Sequence, residues 1–536
     1  MRHLGVFGKP IMGDMTGGDS SKAAGAVNDA PERILTPDQM RALEARAFRN
    51  GVKSIDLMEA AGAGACDAIL REYGEGGGRL AVIACGPGNN GGDGYVVARR
   101  LRKAGWRASV ITLVDQDGLK GDALENAKRF EGELLSASDP EVLARFKDAS
   151  LIVDALFGIG LSRPLDEDAK ALIASMNAAP ARVVAIDCPS GVDGHSGAIL
   201  GDAVKADLTL CFAAVKTGLL RPAARAQTGR LEVIDIGVDP AHAEGPSLFR
   251  NSPSLWRGAL PVDGADTHKY KKGGVAVLSG PALATGAARL SAMAALRAGA
   301  GAVTLLADQL AAAEIAAHVT SLMVRVVATP EDVGSFLKDR RYRAIVLGPG
   351  LGQAAKEAHR LIAAIAAINE DDAQDGKGRS RSLVLDADGL RAFAEEPAAL
   401  FETLCESDAL TPHEGEFKAL FPDLATPQTA RIDAALEAAE RAGCVLVLKG
   451  PDTVIAAPDG RAAVNTHTSR FLATAGSGDV LAGFIAAFAT QGMPAFEAAC
   501  AGVWVHGAAG ISLGRGLIAE DLPRAARAVL ADLYGD

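Results

Sequence analysis

Short apolar runs alternate with helical segments along most of this 536-residue chain, and this alternation restricts the fold more than any other feature. In the first half the predicted strands are Leu80–Cys85, Ser109–Val114, Leu151–Val153, Val183–Ile186, Leu208–Phe212 and Leu231–Ile236. In the second half they are Gly274–Leu278, Val303–Leu306, Ala344–Leu347, Leu383–Leu385, Ala409–Leu410 and Val445–Leu448. Strands that alternate with helices favour a mostly parallel sheet with helices on both faces. The chain is therefore predicted to be an α/β protein.

The length of the chain predicts more than one domain, since domains average about 150 residues. The stretch from Gly237 to Asp266 is rich in proline and glycine and only weakly periodic, which is typical of a linker or of the edge of a new domain. We predict an N-terminal extension (1–32), a first domain (33–243), a linker (244–264) and a second domain (265–536). Within the second domain, the charged stretch Glu370–Arg381 is predicted to be a solvated loop.

Composition narrows the class of protein. With 55 Lys+Arg against 66 Asp+Glu the net charge is −11, which argues against a general binder of nucleic acid or anionic membranes. No apolar run reaches the ~18 residues of a membrane helix, and the first 30 residues do not resemble a signal peptide. The seven cysteines form no CxxC pair, so we expect reduced, mostly buried thiols in a cytoplasmic protein.

The first chemical motif is the sequence GPGNNGGDG, which follows the predicted strand Leu80–Cys85 and precedes a predicted helix, Tyr95–Ala104. Gly86, Gly88 and Gly91 satisfy the GxGxxG spacing in the strand–turn–helix context of a phosphate-binding loop. Asn89, Asn90 and Asp93 make this turn unusually rich in oxygen-bearing side chains. Taken alone, the motif is also compatible with a tight structural turn.

Two more polar residues follow predicted strands of the first half. Asp154 comes directly after Leu151–Val153, and Asp187 directly after Val183–Ile186. The carboxyl ends of parallel strands meet at one edge of a sheet, where ligands bind. We therefore expect these carboxylates and the GPGNNGGDG turn to converge on a hard cation or an amide-rich ligand. A lone aspartate after a strand is otherwise a turn or helix-cap residue.

The motifs GPGNNGGDG, VDALFGIG, DCPSGVDG and FAAVKTGLL resemble those of the NAD(P)H-hydrate epimerase domain of the YjeF N-terminal type, over residues 33–240. The resemblance implies a Rossmann-like αβα sheet in which Asp187 is the acid/base residue. It implies a potassium ion on Asn90, Asp154 and Ser190. The substrate contacts it implies are Asn89, Asn90, Gly91, Gly92, Asp93, Gly158, Ile159, Gly160, Leu161, Ser162, Arg163, Pro164 and Asp187. For Lys216, neutralising a phosphate and a surface role are both open.

The second chemical motif is the Gly-Ser-Gly-Asp turn that precedes an apolar helix near the C-terminal end of the sequence. Backbone N–H groups at such a helix start form an anion hole. Asp479 would lie beside the bound phosphate, placed to accept a hydroxyl proton, which is the arrangement that phosphoryl transfer requires. The chain has no Walker A pattern. In TPHEGEF, His413 is expected at a strand end, with a substrate contact favoured over a structural role.

The segments GPGLG, DADGL, LTPHEGEF and ATAGSGDVLAG together resemble the ADP-dependent NAD(P)H-hydrate dehydratase of the ribokinase-like superfamily, over residues 265–534. The resemblance implies magnesium and ADP as cofactors. The hydrate contacts it implies are Ala287, Gly352, His413 and Asp479. The adenine-nucleotide contacts it implies are Lys449, Gly450, Pro451, Asp452, Thr453 and Gly478.

Together the two resemblances predict a bifunctional enzyme that repairs hydrated nicotinamide nucleotides. It would interconvert the R and S epimers of NADHX and NADPHX, and it would dehydrate the S epimer with ADP, giving AMP and phosphate. We expect a homo-oligomer without nucleic-acid or membrane partners.

Two alternatives stay open from the sequence. One is a dehydrogenase–kinase fusion, although Asp115 lies later than the acidic residue a dinucleotide site needs. The other is a first domain that acts only as an interaction module, against which Asn90, Asp154, Asp187 and Ser190 argue.

Overall fold

Two large sheets organise the part of the chain that the structure describes. In this computed structural model the described residues are 30–262, 264, 268–269, 271–352, 358–374, 381–426 and 429–535. The predicted extension (1–32) therefore lies outside the described residues except for its last three positions. Residues 31–536 cluster as one compact unit. Within that unit we call residues 31–243 the first lobe and residues 244–535 the second lobe.

The first lobe alternates strands and helices as the sequence predicts. Its strands are β1 (Ile34–Leu35), β2 (Leu80–Cys85), β3 (Arg107–Thr112), β4 (Glu133–Ser136), β5 (Leu151–Ala155), β6 (Arg182–Ile186), β7 (Leu208–Phe212), β8 (Val215–Lys216) and β9 (Arg230–Ile234). Its helices are α1 (Pro37–Arg49), α2 (Ser54–Tyr73), α3 (Asn89–Lys103), α4 (Gly121–Lys128), α5 (Val142–Asp148), α6 (Glu167–Ala178) and α7 (Pro222–Thr228).

Seven strands of the first lobe's described residues form one sheet in the order β4-β3-β2-β5-β6-β7-β9. Every pairing in this sheet is parallel. The central strands β2 and β5 are fully buried, as expected for a parallel sheet covered by helices on both faces. The order of the strands reverses at β2, which leaves a crevice beyond the carboxyl ends of β2 and β5.

The second lobe repeats the α/β alternation with a different topology. Its strands are β10 (Ser247–Arg250), β11 (Gly274–Leu278), β12 (Ala302–Ala307), β13 (Met323–Val326), β14 (Tyr342–Leu347), β15 (Ser382–Leu385), β16 (Ala409–Leu410), β17 (Val445–Leu448), β18 (Thr453–Ala456) and β19 (Arg461–Asn465). Its helices are α8 (Pro253–Trp256), α9 (Gly286–Arg297), α10 (Gln309–His318), α11 (Pro330–Leu337), α12 (Ala358–Gln374), α13 (Asp388–Arg391), α14 (Pro397–Phe401), α15 (Glu414–Leu420), α16 (Arg431–Ala442), α17 (Ser477–Thr490), α18 (Ala495–Leu513) and α19 (Leu522–Tyr534).

The second sheet runs β10-β19-β18-β17-β16-β15-β14-β11-β12-β13 across the described residues. Strand β18 is antiparallel to both of its neighbours, and the other pairs are parallel. Helices α9, α17 and α18 pack on one face, with the buried apolar side chains of α17 at their centre. The predicted α/β class with two sheets is thus what the structure contains.

Two segments differ from their sequence-based prediction. The predicted linker, 244–264, contains β10, which adds an edge strand to the second sheet, and α8, whose Trp256 is buried. Its proline and glycine residues lie around these elements, so composition hid them. The stretch Glu370–Arg381 is not a loop throughout, because α12 continues to Gln374 and Arg381 is buried; residues 375–380 lie outside the described part.

Two helix starts show how local sequence sets the boundaries. Helix α1 begins at Pro37, since Thr36 and Gln39 form a reciprocal capping box and a proline suits the first helical position. Helix α3 begins at Asn89, six residues before the predicted start at Tyr95. The polar residues of GPGNNGGDG therefore lie in the first turns of a helix instead of in a loop. None of the described helices is long and apolar enough to cross a membrane.

The two lobes share a hydrophobic core. Ile34, Val192 and Leu220 of the first lobe belong to the same buried cluster as Val454 and Val464 of the second. Strand β1 pairs with β8 within the first lobe, and Arg33 forms an antiparallel bridge with Phe249 of β10. The residues that open the described chain therefore pack against both lobes.

Candidate active sites

A cavity of about 590 Å³ lies beside the carboxyl ends of β2, β5 and β6 in the first lobe. Most of the predicted substrate contacts line it: Asn89, Asn90, Asp93, Gly158, Ile159, Gly160, Leu161, Ser162, Arg163 and Asp187. Gly91, Gly92 and Pro164 are not among its lining residues. The strand-end loops therefore converge on one pocket, as the parallel sheet predicts.

Gly91 and Gly92 have a packing role at the start of α3. A Cβ on Gly91 would lie 2.0 Å from the backbone oxygen of Gly86, and a Cβ on Gly92 would lie 2.6 Å from the Met58 sulfur. Only glycine allows the helix start to approach the β2 loop and α2 this closely. These two glycines hold the neighbouring Asn90 and Asp93 side chains at the pocket.

Asp187 has a strained backbone and a fixed carboxylate. Its φ of 63° is left-handed, a conformation that an aspartate directly after a strand adopts at a cost and that is common at functional sites. One carboxylate oxygen lies 2.7 Å from Lys216 Nζ, and the other accepts a hydrogen bond of 3.1 Å from the Ile159 N–H. Both contacts hold the carboxylate in one orientation at the cavity wall.

Lys216 is a buried member of this site and not a surface residue. Its side chain is 0% exposed, and its ammonium also donates to the Phe212 carbonyl at 2.8 Å. Burial alone would lower the pKa of Lys216, but the Asp187 carboxylate, together with the nearby Cys211 and Cys188, raises it above its usual value. Lys216 therefore remains charged, and it neutralises Asp187 instead of a phosphate.

Two further carboxyl groups face the same cavity. Burial, together with the charges of Asp187 and Glu44, raises the pKa of Asp93 well above its usual value. Burial and the charge of Asp187 also raise the pKa of Glu44. Asp93 and Glu44 therefore hold protons more readily than ordinary carboxyl groups do, whereas the Asp187 carboxylate is paired with Lys216. The cavity therefore combines an ion-paired carboxylate with carboxyls that are easier to protonate.

Of the residues predicted to hold potassium, Asn90 lines the cavity, and Asp154 and Ser190 contact each other at the ends of β5 and β6. Asp154 accepts hydrogen bonds from the Ser190 hydroxyl at 2.6 Å and from the Ser190 N–H at 2.7 Å. Burial raises the pKa of Asp154 to about 6, with the bonds from Ser190 opposing that rise. The Asn90 amide is buried, and both of its polar atoms lack a hydrogen-bond partner.

The orphaned amide of Asn90 lies close to the other two residues. A Cβ on Gly158 would lie 3.2 Å from Asn90 Oδ1, and the preceding residue, Phe157, donates its N–H to the Ser190 hydroxyl at 2.8 Å. A buried polar group without a partner is costly unless a ligand satisfies it. An amide, a hydroxyl and a carboxylate oxygen fit a hard monovalent cation.

Sequence reasoning missed the wall that the N-terminal helices contribute to this cavity. Met40, Arg41, Glu44 and Phe48 on α1 line it, and so does Met58 on α2. The spacing 40, 41, 44 and 48 marks one face of a helix, which was a usable signal. The sequence did not indicate whether that face meets a pocket or only the core.

In the second lobe, α17 begins with the Gly-Ser-Gly-Asp turn. Gly476 precedes the helix with a left-handed φ of 85°, and Ser477, Gly478 and Asp479 form its first turn. The Ser291 hydroxyl of α9 donates to the Asp479 carbonyl at 2.7 Å, which anchors the turn. The predicted helix start with free N–H groups is therefore present, and its positive end favours an anion.

Asp479 lies beside a second ion pair. Asp386, from the DADGL segment, is 2.5 Å from Lys449 Nζ. A Cβ on Gly478 would lie 3.3 Å from that nitrogen and 3.6 Å from Asp386 Oδ2. Burial raises the pKa of Asp479 to about 6, the charge of Asp386 adds to the rise, and Lys449 opposes it. The carboxyl is thus poised near neutral pH, as a proton acceptor requires.

The other predicted hydrate contacts lie around Asp479. Gly352 donates its N–H to Asp388 at 2.9 Å, and a Cβ on Gly350 would lie 3.2 Å from the Ala287 Cβ. His413 caps α15: its Nδ1 accepts from the Gly415 and Glu416 N–H groups. The charges of Asp388 and Glu416 both act on Asp479. Segments far apart in sequence thus meet at one edge of the sheet.

The predicted nucleotide loop, 449–453, is a tight turn between β17 and β18. The Thr453 hydroxyl accepts from the Gly450 N–H at 3.2 Å and donates to the Gly450 carbonyl at 2.9 Å. Asp452 does not point to Asp479, because its carboxylate pairs with Arg221 of the first lobe. Any nucleotide contact by residue 452 must therefore be made by its backbone.

Comparisons with known proteins agree with this division. A family model described as NAD(P)H-hydrate dehydratase matches residues 275–526, and one described as YjeF-related protein N-terminus matches residues 54–218. The bifunctional NAD(P)H-hydrate repair enzyme of Salinibacter ruber is 34% identical over 540 residues, covering 94% of this chain and 97% of its own. The chain belongs to the bifunctional NAD(P)H-hydrate repair enzyme family.

Two solved structures are each similar to about half of this chain. A ribokinase-like superfamily protein from Enterococcus faecalis is 23% identical and covers 53% of this chain and 96% of its own, with a TM-score of 0.46. The ADP/ATP-dependent NAD(P)H-hydrate dehydratase from Bacillus subtilis, co-crystallised with ATP and Mg²⁺, is 26% identical. It covers 54% of this chain and 99% of its own, with a TM-score of 0.44.

Proposed function

We propose that the first lobe interconverts the R and S hydrates of NADH and NADPH, with Asp187 as the acid/base residue. Family membership and the ion-paired carboxylate at the cavity wall support this assignment. The hydrate carries a hydroxyl on a carbon next to the ring nitrogen, so its configuration inverts through ring opening or through loss and return of water. Either route needs a proton moved at that hydroxyl or nitrogen, which a positioned carboxylate accelerates by about 10²–10⁴.

We propose separate roles for the cavity residues, some holding Asp187 in place and others binding the substrate. Lys216 and the Ile159 N–H hold the Asp187 carboxylate in place, so it takes and returns the proton without reorienting. Asn89, Asp93 and the segment 158–164 bind the hydrated ring and its nucleotide. The strained backbone of Asp187 persists because these contacts outweigh its cost.

Potassium fits the Asn90, Asp154 and Ser190 set, since it would satisfy the orphaned amide of Asn90. These three residues would hold the ion, and the ion would supply a fixed positive charge beside the pocket. Its role would be to fix the loops after β5 and β6, which carry Gly158 and Asp187.

We propose that the second lobe dehydrates the S epimer with ADP, with Asp479 as the proton acceptor. Asp479 takes the proton of the hydrate hydroxyl, whose oxygen attacks the terminal phosphorus of ADP, and the bond to AMP breaks. The phosphate then leaves with the carbon–oxygen electron pair, and loss of the neighbouring ring proton restores the double bond. The observation that carries this proposal is the Asp479 carboxyl at the start of α17, with its pKa near 6.

The remaining contacts of the second site complete the proposal. Ala287, Gly352 and His413 would contact the hydrate, while residues 449–453 and Gly478 would hold the adenine nucleotide. Lys449 would also balance phosphate charge, since its ammonium lies beside Gly478 at the start of α17.

Magnesium fits this site as a companion of the nucleotide. Among the described residues no group of three or more His, Cys, Asp or Glu could hold a metal. Magnesium is usually bound by substrate phosphates with one or two carboxylates, and Asp386 would serve as such a carboxylate while Asp479 takes the proton. Its chemical contribution would be to shield phosphate charge.

We propose that residues 33–243 carry out epimerisation and residues 265–536 carry out dehydration. We also propose that both reactions take place in the cytoplasm. Six cysteines are buried free thiols, which is in keeping with a reducing compartment.

We also propose self-association, because Leu283 and Leu310 are large apolar side chains that are 97% and 73% exposed. Sedimentation velocity measures the assembly, and a monomer at micromolar concentration would contradict it.

A single assay with a mixture of both hydrate epimers tests the two activities. The full chain should convert the whole mixture to NAD(P)H with ADP, and it should convert none without a nucleotide. Asp187→Asn should stop the reaction once the S epimer is consumed, leaving the R epimer apart from its spontaneous epimerisation. Conversion of neither epimer by the folded wild-type chain would refute the proposal, and replacing ADP by ATP tests the phosphate donor.

A further inference from the structure

Two arginines of the first lobe reach the 449–453 loop of the second lobe. Arg221, directly before α7, forms an ion pair with Asp452. Arg225, one helical turn later, donates from Nη2 to the Pro451 carbonyl at 2.9 Å and from Nη1 to the Thr466 carbonyl at 3.4 Å. The first lobe thus contacts both the side chain and the backbone of this loop.

The Asp452 carboxylate is committed to these contacts. Its side chain is 4% exposed, and besides Arg221 it faces Arg431, whose Nε lies 3.7 Å from Oδ1. Arg431 also donates to the carbonyls of Leu448 at 3.1 Å and Lys449 at 2.7 Å. The Asp452 carboxylate therefore lies between one arginine of each lobe, Arg221 and Arg431. Arg431 also contacts the start of the loop through the Leu448 and Lys449 carbonyls.

A short buried segment ties Arg221 to the first lobe. Lys216, five residues earlier, pairs with Asp187 in the first cavity, and Thr217–Leu220 between them are buried. The Gly218 N–H donates to the Gly194 carbonyl at 2.9 Å, which fixes this segment to the loop that follows Asp187. Arg221 therefore projects from a rigid base and not from a free surface loop.

We propose that Arg221 and Arg225 are positioning residues for the adenine-nucleotide site, so that the first lobe completes the ADP-binding loop of the second. The inference rests on the proposed function, in which residues 449–453 hold ADP. Holding the loop in its binding conformation removes an ordering cost that ADP would otherwise meet on binding. Without Arg221 the buried Asp452 carboxylate loses one of its two cations and draws the loop out of place.

The consequence separates binding from chemistry. Asp479 stands on α17, which Ser291 of α9 anchors, whereas the ion pair of Arg221 is made to Asp452 in the 449–453 loop. Loss of Arg221 should therefore weaken ADP binding and leave the dehydration step at saturating ADP nearly unchanged. A residue that merely stabilised the fold would instead reduce the amount of active enzyme and leave the KM for ADP where it was.

The test uses Arg221→Gln in the full chain, with ADP affinity measured by titration calorimetry and kcat and KM measured for dehydration. We expect the Kd and KM for ADP to rise at least about tenfold and kcat to change by less than about twofold. Arg221→Lys should recover part of the affinity, since a lysine still pairs with Asp452. Arg225→Gln, which loses bonds to two carbonyls and a weaker charge interaction with Asp452, should raise the Kd by about threefold.

The matched control is Arg182→Gln. It removes an arginine–aspartate ion pair that lies wholly within the first lobe, Arg182–Asp207, whose arginine side chain is 68% exposed. This control should leave the ADP affinity unchanged. In the double variant Arg221→Gln/Asp452→Asn, ADP affinity should be no weaker than in Arg221→Gln alone, because the unpaired charge is gone. Epimerisation measured in each sample reports whether the chain is folded.

The outcomes distinguish this inference from the proposed function. If the wild-type chain binds no ADP, the proposed function fails. If the wild-type chain binds ADP and Arg221→Gln and Arg225→Gln bind it equally well, the inference fails and the proposed function stands. If Arg221→Gln proves unable to fold, Arg225→Gln and Arg221→Lys decide, and unchanged KM values for ADP in both overturn the inference.

Discussion

At the scale of single residues, each site contains a carboxylate with charged neighbours. Asp187 has a dedicated cation in Lys216, whereas Asp479 is influenced by Asp386 and Lys449 together. The two carboxylates therefore work in different electrostatic settings. Three predictions follow from single side chains.

The first prediction concerns Asp479 and pH. Because the pKa of Asp479 is raised to about 6, chiefly by burial, it is ionised and able to accept a proton only above that pH. The rate of dehydration should therefore fall as the pH drops through about 6. Asp479→Asn should reduce dehydration by about 10²–10⁴ while epimerisation continues. A coupled assay of both activities between pH 5 and pH 8 measures this, and dehydration at wild-type rate in Asp479→Asn would contradict it.

The second prediction concerns the buried pair of Lys216 and Asp187. Lys216→Met should lower the free energy of unfolding by about 3–5 kcal/mol, because it leaves a buried carboxylate without its cation. The double variant Lys216→Met/Asp187→Asn should regain most of that stability but no epimerase activity. Denaturant unfolding and the epimerisation assay measure the two effects separately. Equal stability of the single and double variants would show that the pair does not act as a unit.

The third prediction concerns two glycines of the GPGNNGGDG motif. Gly91→Ala should destabilise the chain by about 1–3 kcal/mol, because the new methyl would lie 2.0 Å from the Gly86 backbone oxygen. Gly88→Ala is the matched control, since nothing lies within 4 Å of its added Cβ. Its unfolding free energy should stay within about 0.5 kcal/mol of wild type. Similar losses in both variants would argue against the packing role of Gly91.

At the scale of elements, helix starts carry both sites. Helix α3 presents Asn90 and Asp93, and α17 presents Gly478 and Asp479, each within the first turns. In both cases glycines allow close approach, and at α3 the positive end of the helix faces the first-lobe cavity. The α3 start was predicted six residues late, since glycine and asparagine have low intrinsic helix propensity. The tertiary contact with α2 and the Gly86 loop overrides that propensity.

A buried histidine supports the α17 start. His506 of α18 lies with its Nε2 3.0 Å from the Ser477 hydroxyl, and burial lowers its pKa to about 4. A group that is harder to protonate in the folded chain than in the unfolded chain destabilises the fold in acid. Its contribution to stability should therefore be full above about pH 6.5 and should fall as the pH drops to about 4. Denaturant midpoints of His506→Gln and wild type, compared across this range, should differ less at pH 4.5 than at pH 7.

At the scale of the whole molecule, the two lobes meet across an apolar core with polar contacts around it. His195 of the first lobe pairs with Asp433 of the second at 3.4 Å, and the Asp433 contact raises the pKa of His195. A cavity of about 590 Å³, lined by residues of both lobes such as Thr36, Arg221 and Ile432, lies beside these contacts.

We therefore expect the two lobes to unfold together. Leu220 is 1% exposed and belongs to the buried cluster that both lobes share. Leu220→Ala should lower the stability of the whole chain by about 2–5 kcal/mol. Calorimetry should show a single transition, which shifts as a whole in the variant. Tryptophan fluorescence, to which Trp106 of the first lobe and Trp256 of the second contribute, should change in the same transition. Leu143→Ala, which is 57% exposed, is the control. Two separate transitions would contradict this prediction.

How much could be predicted from the sequence differs between the strands and the sites. Leu80–Cys85, Leu208–Phe212 and Gly274–Leu278 have the predicted bounds, because a fully buried strand appears in sequence as an unbroken apolar run. Strand β10 was not predicted, since this edge strand is only half apolar and lies among prolines in the sequence. The role of Asp452 escaped for another reason: its partner, Arg221, is 231 residues away.

The sequence by itself determined which residues could do chemistry and on which edge of each sheet they lie. Strand periodicity and the loops after strands are local properties, and in a parallel sheet they place the loops together. Only the tertiary structure decided that Lys216 is buried against Asp187, that α1 walls the first cavity, and that the first lobe grips the 449–453 loop. These facts depend on contacts between residues distant in sequence, and no local pattern encodes which distant partner a charged side chain meets.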